Sequence, residues 1–276
     1  MSQQIMKRVV YEIDGEDIAM DVEGPFSFGD DYVMLSEDMD LTAGLPWHEP
    51  GYTVAPFLDD AAFARFWGSV SGVLQDALAA CGLTVDGPID WSRYHALPGL
   101  TPQIHRDFIE VIRKPFHMAE YADQVDLWPV VERVSQICNA TLMTDRFNIR
   151  VVRPRSGDNN PPHRDVWLDH LRHLINIYAP LAGSNARSSL PIAPGSHLWS
   201  EADIERTPGT AQADGITYGV PSVTGTRRGN LRMVRPNPGP GEVLVFSPYT
   251  IHGGAKNLND DLTRVSLEMR FARMMD

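Results

Sequence analysis

Hydrophobic and polar residues follow two different periods along the chain. Residues 9–20 alternate apolar and polar side chains around Asp14-Gly15, a dipeptide that favours a tight turn, so the pattern predicts a β-hairpin. Over 59–80 the apolar residues recur every three or four positions behind an acidic cap, which predicts a first helix. Further helices are predicted over 101–113 and 128–138. The first half of the chain is therefore predicted to be mainly helical after its opening hairpin.

After Thr144 the pattern changes to period two. Short apolar runs follow one another, separated by Gly, Pro, Asn and Asp, which is typical of strands joined by turns. Several short strands of this kind predict a two-sheet barrel or jelly roll. The runs cover residues 147–151, 171–181, 190–193, 242–246, 251–256 and 262–271.

A single domain over 1–276 is the simplest organisation, because no Gly/Ser tract, long charge block or repeat of fixed period divides the chain. Residues 1–45 are predicted to be an N-terminal β extension of that domain. Residues 201–241 are rich in Gly, Pro and Thr and show little periodicity. A connection of this length in a compact domain tends to be functional. We expect it to be a lid or insertion that covers the site.

The charge balance limits the classes of partner. The 276 residues include 24 Lys and Arg against 36 Asp and Glu, a formal net charge of -12. Such a chain is not expected to bind nucleic acid or an anionic membrane surface. Its two cysteines are too few for a disulfide framework, and the sequence shows neither a signal peptide nor an apolar run of membrane-spanning length. We therefore expect a cytoplasmic protein, and its oligomeric state is left open.

A metal site is indicated by His163 and Asp165, which stand two residues apart after a strand and a Pro-rich turn. In an extended backbone residues i and i+2 point to the same face, so both side chains can reach one ion. Iron(II) oxygenases need two imidazoles and one carboxylate on one face of the metal, with positions left for cosubstrate and O2. His252, which lies between two predicted strands, is the candidate third ligand.

Two other pairs are weaker metal candidates. His105 and Asp107 have the same spacing, but they fall in the predicted second helix, where residues i and i+2 diverge by about 200° and cannot chelate one ion. His170 and His173 fall in or beside a predicted strand, where odd spacing sends them to opposite faces. We interpret the second pair as polar surface or hydrogen-bonded histidines.

An anion-binding position is indicated by Arg264 on the last predicted strand. An arginine that points into a barrel is costly to bury unless it meets an anion, because its charge cannot be removed by deprotonation. A dicarboxylate cosubstrate would supply that anion, and Ser266 on the same face could add a hydroxyl to the same carboxylate. Arg270 is also in phase but lies further along the strand. A surface arginine at a strand edge is the alternative for Arg264 taken alone.

Taken in order, the motifs resemble those of the phytanoyl-CoA dioxygenase-like family of 2-oxoglutarate oxygenases. The resemblance covers roughly residues 50–272 and implies a mainly β fold, namely a double-stranded β-helix or cupin-like jelly roll with helices packed on one sheet. The motifs are His-x-Asp at 163–165, Pro-Gly-Ser-His at 194–197, the predicted strand at 241–246, His with a following Asn at 252–257, and Arg-x-Ser at 264–266.

The resemblance also implies a site and a reaction. Fe(II) would be held by His163, Asp165 and His252, and the distal carboxylate of 2-oxoglutarate by Arg264 and Ser266. Because Asp165 fills the carboxylate position, hydroxylation or a related oxidation is favoured over halogenation. The reaction would consume 2-oxoglutarate and O2 and release succinate and CO2, with ascorbate as a supporting reductant. No protein base is required, since the metal and cosubstrate carry the chemistry.

Four further residues are expected to take part in binding. Asn148 is expected to hydrogen-bond the cosubstrate, and Trp167 to form a wall of the substrate pocket. Arg227 and Arg228, within the 201–241 segment, favour an anionic small-molecule substrate. Each has an ordinary alternative. Asn148 could be a polar residue of the barrel interior and Trp167 a core aromatic residue, while Arg227 and Arg228 could belong to a solvated basic loop. The matched motifs do not specify which small molecule is the substrate.

Two other classes of function are compatible with a jelly roll. One is a cupin-like oxygenase whose substrate binds the metal directly without 2-oxoglutarate, and Arg264 with Ser266 argues against it. The other is a small-ligand-binding module in which the histidines and the aspartate are incidental. It predicts no iron dependence and no turnover of 2-oxoglutarate.

Overall fold

A large antiparallel sheet runs through the computed structural model, which describes residues 5–121, 123–157 and 160–274. The α-helices of these residues are α1 (Asp60–Ala80), α2 (Pro102–Ile112), α3 (Met118–Tyr121) and α4 (Trp128–Cys138). Their strands are β1 (Met6–Ile13), β2 (Glu16–Glu23), β3 (Ser27–Phe28), β4 (Tyr52–Pro56), β5 (Phe116–His117), β6 (Leu142–Met143), β7 (Arg146–Val152), β8 (Leu174–Ala182), β9 (Ile204–Arg206), β10 (Ala211–Ala213), β11 (Ile216–Tyr218), β12 (Val223–Thr226), β13 (Arg232–Met233), β14 (Glu242–Phe246) and β15 (Arg264–Arg273).

The opening hairpin forms as predicted. β1 and β2 pair along their whole length, from Met6 opposite Glu23 to Ile13 opposite Glu16. Asp14 and Gly15 make the turn with φ values of 51° and 85°, the two positive values that a two-residue loop of type I′ requires.

The three predicted helices are confirmed as α1, α2 and α4, and the short α3 was not predicted. The Asp59 side chain accepts a hydrogen bond from Ala62 N at 2.8 Å, and Thr101 Oγ1 accepts one from Ile104 N at 3.2 Å, so both predicted caps form. No described helix is long and apolar enough to cross a membrane. The apolar faces of the helices cover the outer face of the large sheet in one core that includes Leu74, Phe108, Val134, Ile177, Val245 and Leu267.

The large sheet has the order β4-β14-β8-β15-β7-β5, with β6 also paired to β15. On β15 the odd-numbered residues from Val265 to Phe271 belong to the core under the helices. Because side chains alternate along a strand, the even-numbered residues face the interior of the barrel. On this polar inner row lie Arg264, Ser266, Glu268 and Arg270 of β15 and Asn176 and Tyr178 of β8.

The layer opposite this sheet consists of single bridges and short strands. Antiparallel bridges join His163 to His252, His252 to Ile192, and Ile192 to Val234. Next to Val234, β13 pairs with β1, so the opening hairpin continues this layer, followed by β10 and β11. The Tyr11 hydroxyl donates to the carbonyl of Gly254 at 2.9 Å and joins the hairpin to the loop after His252. The fold is thus the predicted mainly β jelly roll with helices packed on one sheet.

Two of the predicted strands are wrong. Residues 190–193 and 251–256 form only isolated bridges, at Ile192, His252 and Lys256. Pro191 and Pro194 lack the N–H groups that a ladder needs, and Gly253 and Gly254 have φ values of 95° and 69°, which turn the backbone out of an extended course. The remaining predicted runs form β7, β8, β14 and β15.

The segment 201–241 contains the five strands from β9 to β13. Each has two to four residues, too short for an alternating pattern to appear in the sequence. β9 pairs with β12 and with β3 of the N-terminal extension. The segment therefore builds part of the second layer, and its role as a mobile lid stays a prediction.

Candidate metal centre

Three buried side chains meet inside the barrel. One ligand atom from each of His163, Asp165 and His252 lies within 4.8 Å of the others. The Oδ1 atom of Asp165 is 3.3 Å from Nε2 of His163 and 3.8 Å from Nε2 of His252. Their exposed fractions are 2%, 1% and 6%, so all three side chains are buried. The structure brings together the three residues that were predicted to bind iron.

The backbone sets this arrangement. His163 N donates to His252 O at 2.9 Å, and His252 N donates to His163 O at 3.0 Å, so the two histidines are directly opposite in an antiparallel bridge. Asp165 N donates to Pro248 O at 3.1 Å, which fixes the other end of the His-x-Asp segment. At Gly253, with φ of 95°, an added Cβ would lie 2.8 Å from Pro161 O. A glycine is therefore required beside the second histidine.

Both imidazoles present the same nitrogen to the centre. Nδ1 of His163 lies 2.8 Å from Pro161 O, and Nδ1 of His252 lies 2.9 Å from Thr250 O. A carbonyl can only accept, so each Nδ1 carries a proton and each Nε2 faces the centre. Burial lowers the pKa of His252 to about 4, and the neighbouring His163 acts in the same direction. The second histidine is therefore a neutral ligand at neutral pH.

The carboxylate of Asp165 is also oriented. Its Oδ2 atom accepts hydrogen bonds from Asn176 Nδ2 at 2.9 Å and from Arg270 Nε at 3.0 Å. Burial by itself would raise the pKa of this carboxyl, but the charge of Arg270 and the nearby histidines hold it well below its usual range. Two imidazole Nε2 atoms and one carboxylate oxygen thus face one point, a donor set that fits Fe(II) with open positions.

Two cavities adjoin this centre. The inner pocket reaches both histidines. The outer cleft reaches Asp165. Asn160 and Arg270 line both cavities and stand between them. The inner pocket is also lined by Asn176 and Glu268, and the outer cleft by Met143, Arg146, Asn148, Leu168, Leu171, Leu174 and Val220.

Residues 92–266 match the family model described as Phytanoyl-CoA dioxygenase (PhyH). The chain belongs to the phytanoyl-CoA dioxygenase family. The predicted resemblance is therefore confirmed, and the chain is a non-haem iron oxygenase with Fe(II), 2-oxoglutarate and O2 as its cofactors. Family membership does not support the two alternatives, which were a cupin-like oxygenase that does not use 2-oxoglutarate and a small-ligand-binding module.

Solved structures of similar arrangement include AviO1 from Streptomyces viridochromogenes Tue57, with 16% identity, coverage of 85% of this chain and 95% of that one, and a TM-score of 0.45. EctD from S. alaskensis with 2-oxoglutarate and 5-hydroxyectoine has 15% identity, coverage of 91% and 84%, and a TM-score of 0.48. The epimerase SnoN from nogalamycin biosynthesis has 13% identity, coverage of 82% and 79%, and a TM-score of 0.44. No curated protein matches the chain in sequence.

In this member of the phytanoyl-CoA dioxygenase family, Arg264 and Ser266 lie on the inner row of β15. Arg264 is 1% exposed, its Nη1 donates to Ser188 O at 3.0 Å, and its guanidinium lies over the ring of Tyr178 at 5.9 Å. Ser266 is fully buried, and its Oγ has no hydrogen-bond partner among the described residues. Arg264 is therefore not a surface arginine at a strand edge. The buried hydroxyl of Ser266, two residues along the same face, can still form a hydrogen bond with a ligand.

Asn148 is on the inner side of β7, opposite Glu268. It lines the outer cleft with Asp165 and Arg270. Its hydrogen bond to the cosubstrate stays a prediction.

The three predicted substrate residues do not reach the centre. Trp167 Nε1 donates to Glu201 at 3.0 Å, and its ring packs in the core of the second layer. The guanidinium of Arg227 lies 4.5 Å from the Phe28 ring centroid, and Nε of Arg228 donates to Asp203 at 2.8 Å. None of the three lines the inner pocket or the outer cleft. Asp165 begins a 3-10 turn, so Trp167 does not continue a strand. A substrate-binding role for the three residues stays a prediction.

Two important residues were not predicted as part of the site. Arg270 and Asn176 hold Asp165, yet Arg270 was noted only as in phase with Arg264, and Asn176 was not singled out at all. The alternation along β15 places Arg270 on the same face as Arg264 and could have indicated a role in the site. No sequence pattern indicates such a role for Asn176 on β8. The rejected His105 lies in α2 as predicted. His170 lies in a 3-10 turn ahead of β8, and is thus beside a strand as predicted.

Proposed function

We propose that this chain hydroxylates a small molecule and uses His163, Asp165 and His252 as its Fe(II) ligands. The observation that carries the proposal is the convergence of two imidazole Nε2 atoms and one carboxylate oxygen in a buried site beside a cavity. Iron with 2-oxoglutarate and O2 supplies the oxidising chemistry when bound. The residues of the chain supply binding, orientation and exclusion of water.

We propose Arg264 and Ser266 as the binding site for the distal carboxylate of 2-oxoglutarate. A guanidinium presents parallel N–H donors that match a carboxylate, and a serine hydroxyl can donate one more hydrogen bond. The partnerless Oγ of Ser266 supports this role, because a buried hydroxyl without a hydrogen bond is disfavoured unless a ligand completes it.

The substrate is proposed to enter the outer cleft, which ends at Asp165. One wall of this cleft is apolar, while Asn148 and Arg270 make its floor polar. Arg270 is paired with Asp165, and Arg146 is paired with Asp145 at 2.8 Å. Both arginines of the cleft therefore already have a carboxylate partner, and neither requires an anionic substrate. The lining therefore favours a substrate that carries an apolar body and a polar group. The apolar wall consists of Met143, Leu168, Leu171, Leu174 and Val220.

The first experiment measures succinate formed from 2-oxoglutarate by purified protein with Fe(II), ascorbate and O2. His163→Ala and Arg264→Ala should both lose this turnover, while His117→Ala, an exposed histidine on β5, should retain it. The anaerobic Fe(II)·2-oxoglutarate protein should also show a weak visible charge-transfer band. A wild type without the band and without succinate would contradict the proposal.

The substrate position is tested with a panel of metabolites graded in hydrophobicity, each scored by how much it increases succinate formation. Compounds with an apolar body should stimulate the wild type. Leu174→Glu, which places a charge on the apolar wall of the cleft, should lose the stimulation but keep the basal turnover. Stimulation only by fully polar compounds would show that the apolar wall does not select the substrate.

A further inference from the structure

Two donors on neighbouring strands converge on one oxygen of the candidate metal ligand. Arg270 of β15 and Asn176 of β8 are directly opposite in the sheet register. Their side chains both donate to Oδ2 of Asp165, at 3.0 Å from Arg270 Nε and 2.9 Å from Asn176 Nδ2. The Asp165 side chain is 2% exposed, so Oδ2 is buried with these two donors against it.

The other oxygen faces the metal centre. Oδ1 of Asp165 lies 3.3 Å and 3.8 Å from the two histidine Nε2 atoms, and these contacts do not involve Oδ2. A carboxylate can bind a metal through one oxygen or through both, and the second mode occupies an additional coordination position. A charged donor on Oδ2 opposes that mode, because the oxygen would have to leave a charge-assisted hydrogen bond to reach the metal.

We propose that Arg270, assisted by Asn176, restricts Asp165 to binding through one oxygen and so keeps positions on the metal free for the two oxygen atoms with which a 2-oxo acid chelates. Arg270 is a positioning residue, since it acts through Asp165. The inference rests on the proposed function, because it requires iron at His163, Asp165 and His252. It predicts that Arg270 controls cosubstrate binding more strongly than metal binding.

The test compares Arg270→Met, which removes charge and donor, with Arg270→Lys, which keeps the charge. The matched control is Arg273→Met, an exposed arginine at the end of the same strand. Co(II) titration followed by visible absorbance gives the metal affinity of each protein. The anaerobic charge-transfer band of the Fe(II) protein, titrated with 2-oxoglutarate, gives the cosubstrate affinity. Thermal unfolding of the metal-free proteins reports on the fold.

Loss of a residue that orients a metal ligand typically costs about 10- to 100-fold in metal affinity or activity. The inference assigns this loss to the cosubstrate, so Arg270→Met should weaken 2-oxoglutarate binding about tenfold or more while Co(II) affinity changes less than about threefold. Arg270→Lys should recover part of the loss, and Arg273→Met should match the wild type. A smaller effect is expected for Asn176→Ala, since the Asn176 amide is an uncharged donor, whereas Arg270 brings a full positive charge. In a crystal structure of the Co(II)-loaded Arg270→Met protein, both carboxylate oxygens should contact the metal.

Two results would overturn the inference. One is an unchanged affinity of Arg270→Met for 2-oxoglutarate, and the other is a parallel loss of Co(II) affinity, cosubstrate affinity and melting temperature, which would mark a purely structural role. A failure of the proposed function looks different. In that case the wild type itself shows no charge-transfer band, and His163→Ala binds Co(II) as well as the wild type does.

Discussion

Arg164 and Glu201 form an ion pair in which neither side chain meets solvent, with exposed fractions of 0% and 2%. Arg164 stands between the two metal-ligand candidates of the His-x-Asp segment, and Glu201 begins the segment 201–241. Arg164 also donates to Trp199 O at 3.2 Å, and Glu201 accepts from Trp167 Nε1 at 3.0 Å. The pair therefore joins the backbone of the candidate metal centre to the second layer of the jelly roll.

Breaking this pair should destabilise the protein strongly. Glu201→Gln leaves Arg164 buried without its counter-ion, which is expected to lower the free energy of unfolding by about 3–5 kcal/mol. Arg164→Met should cost less, because Nε of Arg206 lies 3.5 Å from Glu201 and keeps a cation beside it. The double variant should lose less than the sum of the two. Urea unfolding of all four proteins measures this coupling. The exposed pair Arg113 and Glu110 on α2 is the control, with an expected coupling below about 1 kcal/mol. Additive losses at Arg164 and Glu201 would contradict the prediction.

Ser266→Ala should separate folding from cosubstrate binding. The Ser266 hydroxyl is buried and has no partner among the described residues, so its removal should leave the stability of the metal-free protein unchanged or slightly higher. The affinity for 2-oxoglutarate should fall by about 1 kcal/mol, the usual value of one hydrogen bond, or roughly fivefold. Thermal unfolding and titration of the charge-transfer band measure the two effects. Unchanged affinity with reduced stability would assign Ser266 to packing instead.

The double variant Arg227→Gln with Arg228→Gln should not affect the reaction. The two guanidinium groups lie against Phe28, Trp199 and Asp203 at the surface. Their loss is expected to cost at most about 1 kcal/mol of stability, the usual value for exposed cation–π contacts and ion pairs. Succinate formation and, once a stimulating compound is found, its Michaelis constant should match the wild type. A raised Michaelis constant would restore the sequence-based interpretation of these arginines.

Stability of the metal-free protein should fall in mild acid. Burial lowers the pKa of His197 and of His252 from 6.5 to about 4. A base whose pKa is depressed in the folded state favours folding above its unfolded pKa, and this contribution is lost as pH falls toward the folded value. The free energy of unfolding should therefore decline between pH 6.5 and about 4, by up to about 1.4 kcal/mol per pH unit for each histidine. Urea midpoints that stay constant over this interval would contradict the prediction.

Much of the fold could be predicted because its signals are local. The caps Asp59 and Thr101 and the Asp14-Gly15 turn act within a few residues, and each forms as expected. The predicted strand at 190–193 failed because pairing depends on the partner backbone, and two prolines remove donors that the ladder would need. The strands of 201–241 were missed because two to four residues cannot display a period.

The sequence by itself determined the family and the set of ligands proposed for the metal. His163, Asp165, His252, Arg264 and Ser266 could be identified because motif order and two-residue spacing are properties of the chain. Only the tertiary structure decided which side chains support them. Arg270 and Asn176 act on Asp165 because β15 and β8 are paired in one register, and Trp167 packs away because a 3-10 turn follows Asp165. Register and packing arise from contacts between distant segments, which spacing along a single chain does not encode.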